Sequence, residues 1–597
     1  MATLAVPVVP TIKGGAFLLE TRTPQEIYSP EDFTDEHRAI AKTTEEFWAK
    51  EVGPNVEAIQ QGDKALAISI VKKSAQLGLT AVTAPEEYGG MEMDMVAQMV
   101  VAEALSKDGS YSGWHGAHAG IGTTPVLLWG TPAQKEKYLT KLASAELIGA
   151  YCLSEPQAGS DALAAKTRAD LSADGTHYIL NGQKMWITNG GGADLYTVFA
   201  KINGEKDKFT AFLVERAWPG VQPGHEEKKM GIKGSSTTAV YFDNVKVPVE
   251  NVLGEIGRGH IIAFNVLNLG RLKLGPFAVG GSKNVLSVSI KYAKERQAFG
   301  QPIANFGLMQ HKIAEMAIKI FAAESMTYRV VGDIESNLQG WSWKSDNAAH
   351  TYLKAVEEFA AECSYIKVFA SETLDYVVDE GVQIHGGYGY HQDYLVERAY
   401  RDSRINRIFE GTSEINRLLA TGTLLKRAQR GTLPLVAAVK ALQAELMAPP
   451  ALSAGALSAA EEENRMAANA KKLALLCLGA AYQRFMDKVE REQEVMAGIT
   501  DIAMNAFAIE SVSLRAQKLA ALGKGEMAAA MSAVFCREAM DLCEQTAKVV
   551  LSACAEGDNL RIMLAAVKRL AKYEPANSIG LRRQIAEKLI AAEKYTL

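Results

Sequence analysis

RDSRINRIFEGTSEIN, residues 401–416, sets one carboxylate between two unlike neighbourhoods. Ile408 and Phe409 precede Glu410; Gly411, Thr412 and Ser413 follow it. Gly411 allows a ligand to approach the backbone closely. Thr412 suits the N-cap of the helix that TSEINRLLATGTLLKRAQR predicts, with Glu414 near its start. A carboxylate placed there stands at the mouth of an apolar pocket, beside free N–H groups. Desolvation then raises its pKa, which suits a general base. The same residue is also explained as a charge favoured by the dipole at a helix N-terminus, and this stretch alone does not separate the two.

On the amino side of this stretch, from His260, the sequence predicts long helices joined by short polar loops, the pattern of an antiparallel bundle. Earlier, from Tyr151 to about Gly254, short β-rich runs are divided by turn residues: HYILNGQKMWITNGGGADLYTVFAKI, KFTAFLVE and TTAVYFDNVKVP. Before these, Thr34 to about Asp108 reads as helices, GTPAQKEKYLTKLAS (130–144) adds a short one capped by Thr131, and the first residues read as an extended arm. On the carboxyl side, an Ala-rich linker around MAPPALSAGALSAAEEE (447–463) precedes four or five further helices without recognisable chemistry. The chain therefore divides into an arm (1–30), a helical domain (31–150), a β domain (151–256), a bundle carrying Glu410 (257–432), a linker region (433–463) and a helical extension (464–597). The predicted class is mainly α with an inserted β domain.

The 597 residues carry a net charge of −5 and no basic block, which gives no reason to expect nucleic acid. Six cysteines are scattered, with no CxxC and no Cys/His spacing for a metal, and read as small core residues in a reducing compartment. The amino end lacks the pattern of a secretory signal and, with Glu20 and Glu26, of a transit peptide. No apolar stretch approaches 18 residues on this reading, so a soluble, cytoplasmic protein is expected.

Two segments of the β domain suit a planar ring. YCLSEPQAGSDALAAKT (151–167) gathers Ser154, Gly159, Ser160 and Asp161 in a turn rich in hydroxyls. NGQKMWITNGG (181–191) places Trp186 and Thr188 two apart, on one face of a strand. ERQAFGQP (295–302) and QIHGGYGY (383–390) add Arg296 and the Gly386–Gly387 pair for a diphosphate, while His385 reads as structural. No GxGxxG follows a strand and opens a helix, and no GxSxG is present, which argues against a Rossmann site and a hydrolase.

YCLSEPQAGSD, QKMWITNGG, ERQAFGQPI, QIHGGYGY and RIFEGTSEI, in that order over about residues 35–430, resemble the acyl-CoA dehydrogenase family. The tail resembles the long-chain and very-long-chain branch, which carries an additional C-terminal helical domain. The resemblance implies a helical domain, a β-barrel-like middle domain and a four-helix bundle, with FAD held between them. Tyr151, Ser154 and Thr188 would meet the flavin ring and Trp186 would pack on it. Arg296, Phe299, Gln310, Gln383, Gly386 and Gly387 would hold the rest of FAD, partly across a homodimer interface. Thr412 and Ser413 are further cofactor contacts, and Ser160 lies near cofactor and the CoA diphosphate. Asn268, Arg271 and Gly411 would contact the acyl-CoA substrate. Glu410 would remove the α-proton, its own backbone N–H and a ribityl hydroxyl holding the thioester oxygen. Some members place the base on an earlier helix, at the position of Gly270, which cannot serve.

Gly113, Gly116 and Ala117 in YSGWHGAHAGIG (111–122) leave the acyl tunnel open to long chains, unless Trp114 refills it. Electron-transfer flavoprotein is the electron acceptor implied. An acyl-CoA oxidase passing electrons to oxygen, or a non-catalytic scaffold of the same fold, are the competing expectations. Peripheral membrane contact by the tail is not favoured, because its linker is short of basic and large apolar residues.

Overall fold

The computed structural model describes residues 11–448 and 457–597; the first ten residues of the expected arm and 449–456 of the expected linker lie outside the described residues. Helices α1 (Asp35–Phe47), α2 (Lys64–Gln76), α3 (Met95–Leu105) and α4 (Gly109–Ala117) build the first domain. Each begins on a side-chain cap. Thr34 accepts from His37 N–H, Asp63 from Leu66, Asp94 from Ala97, and Asp108 from Ser110 and Tyr111. On α1 the buried Ile40, Thr44 and Phe47 recur at helical spacing, so one face packs inward. Thr131 caps its short helix by accepting from Gln134 N–H.

The middle domain is a single mixed sheet. Its strands are β1 (Gly149–Cys152), β2 (Arg168–Leu171), β3 (His177–Thr188), β4 (Leu195–Ile202), β5 (Phe209–Glu215), β6 (Val221–Glu226), β7 (Thr237–Pro248) and β8 (Val252–Leu253). They lie in the order β6-β7-β3-β2-β4-β5-β8, with β1 parallel to β4. β4 is buried along its whole length, as its run LYTVFAKI requires, whereas Pro223 sits on the edge strand β6. The antiparallel register of β3 with β7 shifts between Lys184 and Ile187. Trp186 lies in that bulge with φ +62°. The expected pairing of Trp186 with Thr188 is thus made through a bulge, which turns the indole outward, instead of through simple alternation.

Helices α5 (Gly259–Glu295), α6 (Gly307–Ser336), α7 (Ala348–Glu358), α8 (Ala360–His385), α9 (Leu395–Ser403) and α10 (Ser413–Gln429) follow. α5, α6, α8 and α10 pack as the four-helix bundle. The fold class is as the sequence predicts: mainly helical, with a β domain inserted.

Three expectations change. Within the expected linker region 433–463, Leu435–Met447 is a helix, α11, because LVAAVKALQAELM is rich in strong helix formers and buries Leu435 and Leu442 two turns apart. The extension comprises α12 (Ala459–Phe485), α13 (Gln493–Ala521), α14 (Glu526–Cys554), α15 (Gly557–Leu570) and α16 (Ser578–Ala592). α13 is long and apolar enough to cross a membrane by composition, contrary to the reading above, but most of its apolar window is buried by α12, α14, α6 and α10. The arm, finally, is not extended over its described residues. It makes 3-10 turns at Ala16–Leu18, Pro24–Glu26 and Pro30–Asp32, the last two with proline at the first position and a capping box.

That arm wedges between bundle and extension. Phe17 meets Tyr365 of α8 and Phe507 of α13 edge-on, at 6.1 and 5.0 Å between centroids. Arg22 pairs with Asp333 at 2.6 Å, and Glu31 with Arg515 at 2.9 Å. Lys471 donates to the Glu20 carbonyl and Lys518 to that of Ile27. Behind the arm the seam is charged and mostly buried. Arg329 pairs with Glu510 at 2.7 Å, and Glu510 also binds Lys471. Arg515 pairs with Glu324 at 2.6 Å; Glu324 binds Lys283, which reaches Glu103 at 2.6 Å.

Candidate active site

Glu410 lies in the loop between α9 and α10 with φ +57°, and Gly411 follows at φ +79°. Two successive left-handed residues need external support, since the first is not glycine. Asn416, in the first turn of α10, donates through Nδ2 to the carbonyls of Glu410 (3.4 Å), Gly411 (2.9 Å) and Thr412 (3.0 Å). Arg271 Nε donates to the Glu410 carbonyl at 3.2 Å, and Arg271 is itself tied to Asn268 Oδ1 at 2.9 Å. The loop is therefore clamped from α5 and α10 together.

The carboxyl group packs against α5 where Gly270 leaves room; a Cβ at Gly270 would lie 2.6 Å from Glu410 Cδ. Oε2 is out of reach of solvent and has no hydrogen-bond partner. Burial pushes the group up to about 7, against the opposing pull of Arg271, Lys367 and Lys273. The Glu410 N–H donates to no backbone carbonyl among the described residues. A poised carboxylate and a free donor thus occupy one residue.

Glu410 faces a cavity shared with Thr188, Gly270, Lys273, Phe277 and Phe409. Its opposite wall is α4 and the turn after it, where Gly113, Gly116, Ala117 and Gly120 contribute little bulk. Phe277 fills part of that space, its Cζ 2.8 Å from where a Cβ on Gly116 would stand. Trp114 does not refill the cavity: it is fully buried on the other side, donating from Nε1 to the Gly234 carbonyl at 2.9 Å.

Arg296, Gly386 and Gly387 line a second pocket with Tyr292, His385 and Tyr388. The Arg296 guanidinium lies over the Tyr388 ring at 5.8 Å. His385 stacks on Tyr292 at 4.1 Å, and its Nδ1 lies 2.8 Å from the Gly381 carbonyl, a packing role. Phe299 projects from the neighbouring hairpin with 96% of its surface exposed. Gln383 is exposed, and Gln310 half-buried in the first turn of α6. Within one chain the expected cofactor residues fall into separate groups, Thr188 beside Glu410 and the diphosphate group elsewhere.

Several expected contacts are already spent inside the protein. Asn268 and Arg271 are buried; Arg271 holds the Glu410 loop and Asn268 steadies Arg271 through Oδ1. Ser413 is buried and its hydroxyl takes a bond from Lys367 at 3.3 Å; Thr412 caps α10 by accepting from Ile415 N–H. Gly411 meets the Asn416 amide where a Cβ would stand, at 3.2 Å, a sufficient internal reason for glycine. Tyr151 is buried with its hydroxyl donating to the Ala263 carbonyl at 3.3 Å, Ser154 is half-buried, and Ser160 is exposed. Asn416, Lys273 and Lys367 were not anticipated; each is a single residue whose role exists only after distant segments meet.

The chain fits a flavin. Trp186 leaves 58% of its surface uncovered on a strand that bulges to turn it outward, two residues from a hydroxyl in the Glu410 cavity. An aromatic plane left bare by the chain's own packing suits a planar ring.

Comparison with known proteins agrees. Residues 34–146, 150–245 and 257–425 match the family models for the N-terminal, middle and C-terminal domains of acyl-CoA dehydrogenase, and 469–569 a further acyl-CoA dehydrogenase C-terminal domain. A probable acyl-CoA dehydrogenase of Bacillus subtilis is 48% identical over 590 residues, 98% of each chain. The very long-chain specific acyl-CoA dehydrogenase of Rattus norvegicus is 43% identical over 58% of this chain and 51% of its own length. The crystal structure of an acyl-CoA dehydrogenase complexed with FAD from Bacillus anthracis is 47% identical, covers 98% of this chain and all of that one, and superposes with a TM-score of 0.96. With a desolvated carboxylate facing an apolar cavity and likeness over nearly its whole length, the chain belongs to the acyl-CoA dehydrogenase family, as an FAD-dependent oxidoreductase.

Proposed function

We propose that the protein desaturates a long-chain fatty acyl-CoA to the trans-2-enoyl-CoA in fatty acid β-oxidation, and that its electrons pass to an electron-transfer flavoprotein. The observation that carries the reading is Glu410: an unpartnered, desolvated carboxylate set against Gly270 at the wall of the cavity. Its oxygen takes the α-proton of the thioester, and its pKa near neutrality matches that task. Charge growing on the thioester oxygen is met by the Glu410 N–H, which the clamp of Arg271 and Asn416 holds in place. Trp186 and Thr188 would hold FAD, which would supply the hydride-accepting chemistry there. The apolar wall excludes water, so the carboxylate keeps its proton affinity.

Two observations support a long chain. α4 lines the cavity with small residues, and Trp114 turns away from it. The exposed Phe299 and the separate Arg296–Gly386–Gly387 pocket support a homodimer in which one copy's second pocket completes the other's FAD site. The cytoplasm is the proposed location, supported by six free, buried cysteines, as a reducing compartment keeps them.

The test is anaerobic addition of palmitoyl-CoA and octanoyl-CoA, separately, to the yellow enzyme. Bleaching by palmitoyl-CoA, abolished in Glu410→Gln, is expected. Bleaching by octanoyl-CoA alone overturns the chain-length assignment, and an active Glu410→Gln overturns the base.

A further inference from the structure

Lys273 stands in the same cavity without a partner. It follows Gly270 by three residues on α5, so the two share a face nearly one turn apart, and both line the cavity with Glu410. Lys273 is buried and makes no ion pair or hydrogen bond among the described residues. Its head is housed by an irregular element. From His118 to Gly122 the chain runs as a π turn, Gly120 departs from helical geometry at φ −99° and ψ −105°, and a Cβ on Gly120 would stand 3.4 Å from Lys273 Nζ. Such turns are frequent at functional sites. Here the turn and its glycine make space for an ammonium.

Nothing on that side neutralises it. His115 of α4 and His118 of the π turn are driven by burial to about 3 and about 4, so both are uncharged, and each leaves Nε2 unpartnered. From the other elements, Arg271 of α5 is spent on the Glu410 carbonyl and Asn268, Lys367 of α8 on Ser413, and the Tyr151 phenol of β1 is kept neutral by burial. The remaining anion that acts on Lys273 is Glu410, whose Oε2 is equally unpartnered.

We propose that Lys273 is a positioning residue for the Glu410 base, its ammonium adding to the positive charge of Arg271 and Lys367 that favours ionised Glu410 before proton transfer. The inference rests on Glu410 being the base. A contact ion pair would occupy the oxygen that must receive the α-proton. A cation across a dry cavity instead favours the carboxylate through its field and leaves that oxygen free. The proton then moves from substrate carbon to Glu410 oxygen while Lys273 keeps its charge.

The test compares Lys273→Met, Lys273→Arg and wild type as FAD-loaded enzymes between pH 6 and 9. Bleaching by palmitoyl-CoA gives the rate profile. Difference infrared titration of the Glu410 carboxyl, identified by its loss in Glu410→Gln, gives the midpoint without turnover. In Lys273→Met the midpoint is expected to rise by about one pH unit, the typical effect of removing a nearby opposite charge. Bleaching should then fall about 5- to 10-fold at pH 7 and approach wild type at pH 9, and Lys273→Arg should restore both. An unchanged midpoint, or a loss equal at every pH, overturns the proposal. If the methionine variant does not accumulate, Lys273→Gln carries the same measurements. The infrared midpoint remains readable even if palmitoyl-CoA is not the substrate, so failure here is distinct from failure of the base assignment, which appears as undiminished turnover in Glu410→Gln.

Discussion

The catalytic cavity and the seam under the arm both bury ionisable side chains, and they treat them in opposite ways. At the seam the core charges are paired, Arg329 with Glu510, Arg515 with Glu324 and Glu31, Lys283 with Glu103. Glu362, which accepts from the Gly15 N–H without an ionic partner among the described residues, is the exception, and burial pushes it up to about 7. Burial works to raise Glu324, but Lys283 and Arg515 outweigh it and hold the carboxyl below its usual range. In the cavity Glu410 and Lys273 stand apart, and burial moves them to about 7 and about 8. Depth alone does not decide what a buried charge does. Pairing fixes its protonation state, whereas separation leaves it ready to change near neutral pH.

The sharpest way to break this contrast is Glu410→Gln, which keeps the shape of the side chain and removes its proton affinity. Flavin bleaching by a thioester substrate should slow about 10³-fold, within the range for loss of a general base. A variant that retains most of its rate would place the base elsewhere. At the seam, Arg515→Met strands Glu31 and leaves Glu324 with Lys283 alone; it should cost about 3 kcal/mol, the lower end for breaking a buried pair. Denaturant unfolding measures that loss, and a shift below about 1 kcal/mol would mean water reaches these carboxylates. Gly270→Ala should follow, since the new methyl would overlap the Glu410 carboxyl. The rate should drop about 10-fold through misplacement of the base, with little change in FAD binding read by flavin absorbance.

The smallest effects lie in pH dependence, and the two regions differ in sign. Glu410 ordinarily titrates near 4.5 and in the fold near 7, so between those values the native state holds a proton that the unfolded chain has lost. Stability from this group therefore falls as pH rises from 4.5 to 7. Glu410→Gln should melt higher than wild type at pH 8, and the two should converge below pH 4.5. Glu324 runs the other way: its contribution is complete above the ordinary value of 4.5 and is lost as pH falls through its depressed folded value. Melting curves across pH 3–8 check both, and parallel curves for Glu410→Gln and wild type would sink the assignment of an elevated Glu410.

Glu410 was legible as a candidate because its setting is local, with an apolar pair, a glycine and a helix cap next to it in the chain, while its role as base came only from the resemblance of five motifs taken together. The β domain was legible for the same reason, through β4's continuous apolar run and the turn residues between strands. The clamp was not. Asn416 looks like any polar residue in a first helical turn, and its three carbonyl partners exist only once Glu410 and Gly411 adopt positive φ. Arg271 and Asn268 read as ligand contacts because a buried arginine that serves a carbonyl 139 residues away has no local sign. The direction of Trp114 depended on where the Gly234 carbonyl would arrive.

The docking of the arm bears on the order of assembly. Its long-range polar partners include Asp333, Asn337, Glu358, Glu362, Lys471, Arg515 and Lys518, between 311 and 491 residues further along the chain. Residues 11–33 are synthesised before all of them, and the rings of Phe17 and Phe33 likewise meet distant residues, Tyr365, Phe507 and Tyr328. Long-range contacts of this kind form only after the intervening loops have closed. A segment made before its partners is therefore seated after them, and a ribosome-bound chain halted before α13 leaves Phe17 without its Phe507 partner and Glu31 without its arginine. Nascent chains halted there should stay open to protease within residues 11–33, and completion of the extension should close that window.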